Sequence, residues 1–253
     1  MKRKKFVYPL VILIAIPLFI LVTLSFADDN GANFHIKAPR FASTPKIDGT
    51  LDNPVWEEGV VIDSFTQYEP LEGSEPTEKT VVYIGHDDKN LYIAVRAYDS
   101  DPKAVRACLT QRDQVTGDDV ITVYLDTFND KKRAFVFQVN PCGVQVDGIY
   151  TEVRRRGRGR GGFFGFDRNY DTFFITEANI DKEGYTVEMA IPFKSLRFPN
   201  TANQVWGFQI MRNIQRKNEE IYWRPRSRDV NGFLVQAGTP DLHRLDLAIQ
   251  RIG

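Results

Sequence analysis

Short runs of β-branched and aromatic residues, separated by polar turns, recur along the chain and constrain its fold more than any other feature. Residues 80–84 and 91–98 are two such runs, and the polar residues 86–90 between them favour a tight turn. Residues 120–125 and 134–139 repeat the pattern around a longer polar loop. We expect each pair to form antiparallel neighbours.

Further strands are predicted by the same signature at residues 173–176, 185–191 and 206–212. In the last of these, the large apolar residues alternate with Gln209 and Met211 at a period of two, which predicts one packed face and one face partly exposed to water. The apolar set consists of Trp206, Phe208 and Ile210.

Helical periodicity is weak throughout, and the best short candidates are residues 55–59 and 193–196. Many short strands with turn signals between them favour two packed antiparallel sheets. The predicted fold class is therefore all-β, a two-sheet β-sandwich resembling a jelly roll.

Composition bounds the size and the partners of this domain. The chain has 253 residues, of which 42% are hydrophobic, and this is enough for one sizeable core. Its 33 basic and 33 acidic residues cancel, and without the four basic residues at positions 2–5 the balance is 29 − 33 = −4. A mildly acidic domain argues against a nucleic-acid binder.

The amino terminus predicts export from the cytoplasm. Four basic residues precede an uncharged and mostly apolar stretch over residues 6–26. Ser25 and Ala27 suit a signal peptidase, which favours cleavage after Ala27, whereas the length of the stretch also suits an uncleaved anchor. The predicted organisation is a signal or anchor over residues 1–27, a linker over 28–43, the sandwich over 44–245 and a tail over 246–253.

Cys108 and Cys142 are the two cysteines of the chain. In an oxidising compartment they permit one disulfide, and the alternative is two buried free thiols. The sequence does not decide between the two, because it does not show how close the Cα atoms lie.

An arginine- and glycine-rich stretch interrupts the strand pattern at residues 153–168. Its arginines, from Arg154 to Arg160, resemble those of RNA-binding segments, but an exported chain meets no nucleic acid. The remaining interpretations are a contact with anionic lipid head groups and a solvated surface loop.

A search for catalytic residues is mostly negative. The three histidines, His35, His86 and His243, belong to no spaced metal motif, and neither a nucleophile elbow nor a phosphate loop is present. Adjacent acidic pairs could supply a glycosidase, but neighbours in a strand point to opposite faces and cannot flank one glycosidic bond. We assign no catalytic residue to this chain.

Aspartates near strand ends offer oxygen ligands to a calcium ion. Calcium takes 6–8 oxygen ligands, and loop carboxylates with backbone carbonyls can supply them. The alternative is that these carboxylates cap turns. The candidate ligands are Asp99, Asp101, Asp118 and Asp119.

Trp223 stands among arginines and prolines, close to acidic and amide residues. A rigid indole face can stack on a pyranose ring while polar neighbours bind its hydroxyl groups. We assign Trp56 and Trp206 to the core.

Residues 47–52 read IDGTLD, and with Val55 and Trp56 they resemble the opening of family 9 carbohydrate-binding modules and the related DOMON-like domains. Several later segments continue this resemblance in the expected order, so that it covers about residues 44–240. They are residues 67–73, 97–99, 117–120, 124–126, 139–143 and 187–193.

The resemblance implies a sandwich that binds sugars, often at chain ends, with calcium stabilising the fold. Trp223 resembles one of the two rings that enclose the sugar in this family, and Tyr68 is the candidate for the second. Polar contacts are implied at Arg112, Gln138 and Asn140. The subgroup it resembles places this module before a predicted outer-membrane β-barrel, which implies a periplasmic or outer-membrane-associated protein.

Three functional hypotheses follow. The first is an exported, non-catalytic carbohydrate-binding module linked to carbohydrate catabolism, which binds a poly- or oligosaccharide through Trp223. The second is an envelope domain that docks an outer-membrane barrel or anionic lipid through Arg154 to Arg160. The third is a component of a glycoside hydrolase, which hydrolyses O-glycosyl compounds.

Overall fold

The structure is a computed structural model that describes residues 36–152, 166–201, 203–236 and 245–248, with the backbone alone at 203 and 245–248. The predicted signal or anchor segment, the first half of the linker and the arginines from Arg154 to Arg160 lie outside these ranges. Within them, no helix combines the length and apolar character needed to cross a membrane.

Fourteen strands and four short 3-10 helices make up the described part of the chain. The 3-10 helices Pro54–Glu58 and Phe193–Ser195 occupy the two sites predicted to be helical. The strands are β1 (Ile36–Lys37), β2 (Val60–Ile62), β3 (Thr66–Glu69), β4 (Thr80–His86), β5 (Asn90–Tyr98), β6 (Val120–Asp126), β7 (Arg133–Val139), β8 (Gln145–Thr151), β9 (Phe166–Asp167), β10 (Ile175–Asp181), β11 (Gly184–Pro192), β12 (Asn203–Ile214), β13 (Glu219–Tyr222) and β14 (Leu245–Ala248).

These strands form two sheets, and the predicted β-sandwich is confirmed. The large sheet has the order β1-β14-β12-β6-β7-β8-β9, with β13 paired to both β12 and β3. The small sheet has the order β10-β11-β5-β4-β2. Both predicted hairpins are present, as antiparallel pairs of β4 with β5 and of β6 with β7.

The main core lies between the two sheets and takes every second residue of each central strand. In β12 these residues are Trp206, Phe208 and Ile210, as predicted. The opposite face of β12 was expected to be partly wet, and that expectation is wrong. Gln209 and Met211 are buried there, because the outer face of the large sheet carries an apolar cluster of its own.

A buried arginine links the two sheets through hydrogen bonds. Arg212 points inward from β12, and one of its terminal nitrogens donates to Thr80 Oγ1 at 3.0 Å while the other donates to the carbonyl of Tyr98 at 2.8 Å. Its guanidinium group also lies 5.2 Å from the ring centroid of Tyr185 on β11. Because a buried charge is costly without partners, these contacts fix how the sheets are positioned.

The IDGTLD segment is held by one carboxylate on the outer face of the small sheet. Glu188 of β11 is fully buried and accepts the backbone N–H groups of Asp48 and Gly49, both at 2.7 Å. The same carboxylate accepts Trp56 Nε1 at 3.0 Å. Gly49 has φ of +80°, and a Cβ at this position would lie 3.0 Å from the backbone of Ala178, so a side chain there would be strained.

Replacing Glu188 with glutamine should destabilise the protein strongly. The amide would turn an NH₂ group toward buried N–H donors, and we expect the free energy of unfolding to fall by roughly 2–4 kcal/mol. Urea denaturation of the parent and the variant measures this. The exposed Glu57→Gln is the matched control, with an expected change below about 0.5 kcal/mol. An equally small effect at Glu188 would contradict this account of the IDGTLD segment.

Candidate functional site

The outer face of the large sheet, which points away from the small sheet, divides into an apolar part and a polar part. The apolar part centres on Tyr124, Met211 and Tyr222, which pack beneath Phe233 and Leu234. The polar part lies where β6, β7 and β12 meet the loop that precedes β6. This second part contains a cavity.

A cavity of about 130 Å³ with mainly polar residues in its lining, called here the amide pocket, occupies this part of the face. Its floor comes from β6, β7 and β12, and its walls come from the loop before β6 and from the residues after β9 and β12. The lining residues are Val115, Thr116, Gly117, Asp118, Val120, Gln138, Arg168, Asn213 and Gln215.

Two buried side-chain amides define the floor of the pocket. Gln138 Nε2 donates to Thr122 Oγ1 at 3.0 Å, a contact between directly paired residues of β7 and β6. Asn213 is 9% exposed, and its Oδ1 has no hydrogen-bond partner among the described residues. A buried acceptor without a partner is costly, so a donor from solvent or from a ligand would be bound favourably there.

The wall formed by Gly117 and Asp118 is anchored by Asn140. The Asn140 Nδ2 donates to Asp118 Oδ2 at 2.8 Å, and the Asn140 Oδ1 accepts the N–H of Val144 at 2.9 Å. Asn140 is fully buried and does not line the pocket. Asn140 therefore positions the pocket wall and does not contact a ligand in the pocket directly.

An arginine surrounded by aromatic rings lies beside β13 on the same face. The Arg226 guanidinium is 4.2 Å from the ring centroid of Tyr68 and 4.9 Å from those of Tyr222 and Phe233. Arg226 also donates to the Tyr222 hydroxyl at 2.9 Å. The three rings therefore pack against a cation from the chain itself.

Glu220 lies between this aromatic cluster and the amide pocket. It pairs with Asn213 on one side and with Glu69 on the other, and it is 7% exposed. Burial raises the pKa of Glu220 to about 8, against the opposing influence of the Arg226 charge. The side chain is therefore largely protonated at neutral pH and can donate a hydrogen bond.

Trp223 lies on the opposite face of the large sheet. It is 4% exposed and packs in the main core with its ring centroid 5.5 Å from that of Phe208. The expectation of an open indole face is wrong, because Tyr222 points outward and its neighbour must point inward. Tyr68 belongs to the outer face, so these two rings cannot enclose one sugar.

Arg112 is also separated from the amide pocket. Its guanidinium group binds the buried carboxylate of Asp147, Gln145 Oε1 at 2.9 Å and the carbonyl of Thr172 at 2.6 Å. Asp147 pairs with Phe137 and so faces the small sheet. Of the five predicted sugar contacts, the structure brings only Gln138 to the pocket.

Asn213, Arg168 and Gln215 complete the pocket and were not predicted. For Asn213 a signal existed, because it continues the Gln209 and Met211 series by two residues along β12. The predicted strand stopped one residue too early to include it. Arg168 and Gln215 follow β9 and β12, and their approach to the pocket depends on contacts distant in sequence.

The four aspartates proposed as calcium ligands do not come together. Asp99 binds Arg216, Asp118 binds Asn140, and Asp119 Oδ1 accepts the N–H of Gln215 at 2.8 Å. Asp101 is tied to Asp99 through its backbone N–H. Each of these contacts serves a turn or a loop, so the four residues as placed do not fit a calcium site.

A different carboxylate trio gathers beside Arg112. One oxygen each from Asp113, Asp147 and Asp171 lie within 4.8 Å of one another, the only such set among the described residues. Burial raises the pKa of Asp147, and the Arg112 guanidinium already supplies this trio with a positive charge. Calcium binding stays a prediction, and this trio is where the described chain would offer it carboxylates.

Both cysteines carry free thiols in this structure, and both are exposed, so the expectation that free thiols would be buried is wrong. The neighbouring Asp118 charge raises the pKa of the Cys108 thiol, and burial raises that of Cys142.

Comparison with known proteins points to one family. The family model described as "Carbohydrate family 9 binding domain-like" matches residues 47–227. A comparison with the curated proteins finds no match.

Three solved structures have a similar fold. A carbohydrate-binding module of family 9 from Caldicellulosiruptor kristjanssonii, in complex with cellotriose, has a TM-score of 0.53 and 16% identity over 85% of this chain and 94% of its own. The same module in complex with glucose gives a TM-score of 0.54 at 16% identity, covering 85% and 95% of the two chains. A candidate carbohydrate-binding protein of Bacteroides uniformis gives 0.59 at 12% identity, covering 85% and 98%.

Replacing Trp223 with alanine should destabilise the folded protein. Removing a buried ring from the core should lower the free energy of unfolding by roughly 3–5 kcal/mol. The control is Phe173→Ala, which removes a ring that is 58% exposed and should cost below about 1 kcal/mol. Denaturant unfolding measures both variants. A Trp223 variant as stable as its parent would contradict the burial described here.

The raised pKa of Glu220 predicts that the stability of the protein depends on pH. An acid whose pKa rises from 4.5 to about 8 on folding stabilises the folded state while protonated, and this contribution is lost as pH rises through that window. Between about pH 5 and pH 8 the loss should be on the order of 3 kcal/mol. Glu220→Gln stays neutral, so its free energy of unfolding should fall less over the same range. Parallel pH profiles for parent and variant would contradict the assignment.

Proposed function

The chain belongs to the carbohydrate family 9 binding domain-like family, and on that premise we propose that it binds a sugar in the amide pocket. The observation that carries this proposal is the pair of buried amides, Gln138 and Asn213, at the floor of an open polar cavity. This site recognises its ligand without chemical conversion.

The chemistry of the lining favours a neutral polyhydroxylated ligand. A side-chain amide offers both donor and acceptor, as a sugar hydroxyl does, so each can satisfy the other. Arg168 and Asp118 add one charge of each sign, which leaves the lining without a strong preference for an ionic ligand. Asn213 Oδ1 in particular would accept a hydroxyl proton that no described residue supplies.

The size of the pocket favours one ring at a time. A cavity of about 130 Å³ has room for several water molecules, since roughly 10–15 Å³ of such space holds one. A single sugar ring can fill this space while the rest of an oligosaccharide extends into solvent. Because similar modules are bound to glucose and to cellotriose, both sugars are suitable probes of binding.

Affinity should be modest, because none of the described residues that line the pocket is aromatic. Each hydroxyl contact replaces one to water and contributes only about 0.5–1.5 kcal/mol net. Rigidity compensates in part, since Gln138 is held by Thr122 and the pocket wall by Asn140 before any ligand arrives.

We also propose that this binding takes place outside the cytoplasm and contributes to carbohydrate catabolism. The support for export is the sequence of residues 1–27, a basic cluster followed by a long apolar stretch. The alternative of docking a barrel or lipid through Arg154 to Arg160 depends on residues outside the described ranges.

Truncation of the unpartnered amide tests the proposal. Asn213→Ala should weaken binding of glucose and cellotriose by roughly 5- to 20-fold, because it removes a buried hydrogen-bonding group. Isothermal titration calorimetry measures this, and unfolding of the same samples reports stability. The matched control is Asn179→Ala on β10, an exposed amide of the small sheet, which should leave the affinity unchanged. Equal affinities for the two variants, or a parent that binds neither sugar, would contradict the proposal.

A further inference from the structure

The loop that forms one wall of the amide pocket, residues 106–119, closes on itself at its base. The N–H of Cys108 donates to Asp118 Oδ2 at 3.1 Å, and the N–H of Asp119 donates to the carbonyl of Arg106 at 2.8 Å. Cys108 is therefore positioned beside the pocket-lining end of its own loop. We call residues 106–119 the pocket loop.

A single buried amide connects Cys108 with Cys142, which lies in the turn between β7 and β8. Asn140 Nδ2 donates to the carbonyl of Cys108 at 2.9 Å, and Asn140 Oδ1 accepts the N–H of Cys142 at 3.0 Å. The Asp118 carboxylate, which accepts the N–H of Cys108, raises the pKa of the Cys108 thiol and adds to the effect of desolvation at Cys142. Cys108 and Cys142 are 34 positions apart in the sequence, and the backbone of each is hydrogen-bonded to the Asn140 side chain.

Both thiols are exposed, so a soluble oxidant can reach either of them. We propose that Cys108 and Cys142 form a reversible disulfide that fastens the pocket loop to the turn between β7 and β8. The bond would tie the wall of the amide pocket to the strand that carries Gln138, which is two residues before Asn140.

Oxidised glutathione can act as the oxidant in two exchange steps. One cysteine thiolate attacks a sulfur of oxidised glutathione, which breaks that S–S bond and releases one glutathione thiolate. The second cysteine thiolate then attacks the protein sulfur of the mixed disulfide and releases the second glutathione. Overall, two protein thiols lose two electrons and two protons, and one oxidised glutathione becomes two reduced molecules.

The Asp118 charge should slow this exchange at neutral pH. It raises the pKa of the Cys108 thiol, and exchange requires the thiolate. Oxidation should therefore quicken as the pH increases, and the reduced form should persist in neutral buffer without an oxidant.

Intact mass of the full chain tests bond formation directly. After incubation with oxidised glutathione at about pH 8.5, the monomer should lose about 2 Da and resist alkylation, and a reductant should restore both thiols. Cys108→Ser and Cys142→Ser should each instead carry one glutathione. Two alkylatable thiols in the oxidised parent, or disulfide-linked dimers, would overturn the proposal.

Thermal unfolding tests whether the bond fastens the loop. The disulfide closes a long loop of the unfolded chain, so the oxidised parent should unfold roughly 5–10 °C above the reduced parent. Glutathione should not raise the unfolding temperature of Cys108→Ser. An oxidised parent with the bond formed and an unchanged unfolding temperature would overturn the fastening role.

The consequence for ligand binding rests on the proposed function. A fastened pocket loop loses less freedom on binding, so glucose should bind the oxidised form roughly 3- to 10-fold more tightly than the reduced form. Equal affinities would overturn the coupling of the bond to the pocket. If neither form binds glucose while the mass loss is observed, the disulfide stands and the sugar-binding function fails.

Discussion

The strict alternation of side chains across the large sheet is the constraint on which the rest of the structure depends. Because successive residues of a strand face opposite sides, each central strand supplies the main core and the outer face at once. The outer face is covered by Phe233 and Leu234 over its apolar part and left open over the amides Gln138 and Asn213. The site therefore lies where the apolar covering of this face ends.

Most of the fold could be predicted from the sequence because its signals are local. The hairpin of β4 with β5 and the pair of β6 with β7 each follow from two β-branched or aromatic runs around a polar turn. The predicted two-sheet sandwich follows from the number of such runs. The ends of strands were predicted less accurately, since β12 extends to Ile214, beyond the predicted residue 212.

The candidate site was harder to predict, because it depends on the face that a strand presents and on contacts between distant loops. Trp223 and Tyr222 are neighbours, and only the register of β13 decides which of them points into the core. Of the polar contacts that the resemblance implied, Gln138 lines the amide pocket, whereas Asn140 lies behind it and positions the wall. Arg168 reaches the pocket from after β9, a contact that no local pattern encodes.

The central claim is that a sugar occupies the amide pocket on the outer face of the large sheet, and a crystal structure of the protein soaked with glucose tests it most directly. The account predicts electron density for one sugar ring between Gln138 and Asn213, with a hydroxyl group donating to Asn213 Oδ1. Density for glucose against Arg112 or the main-core side of the sheet, with the amide pocket holding only water, would contradict it.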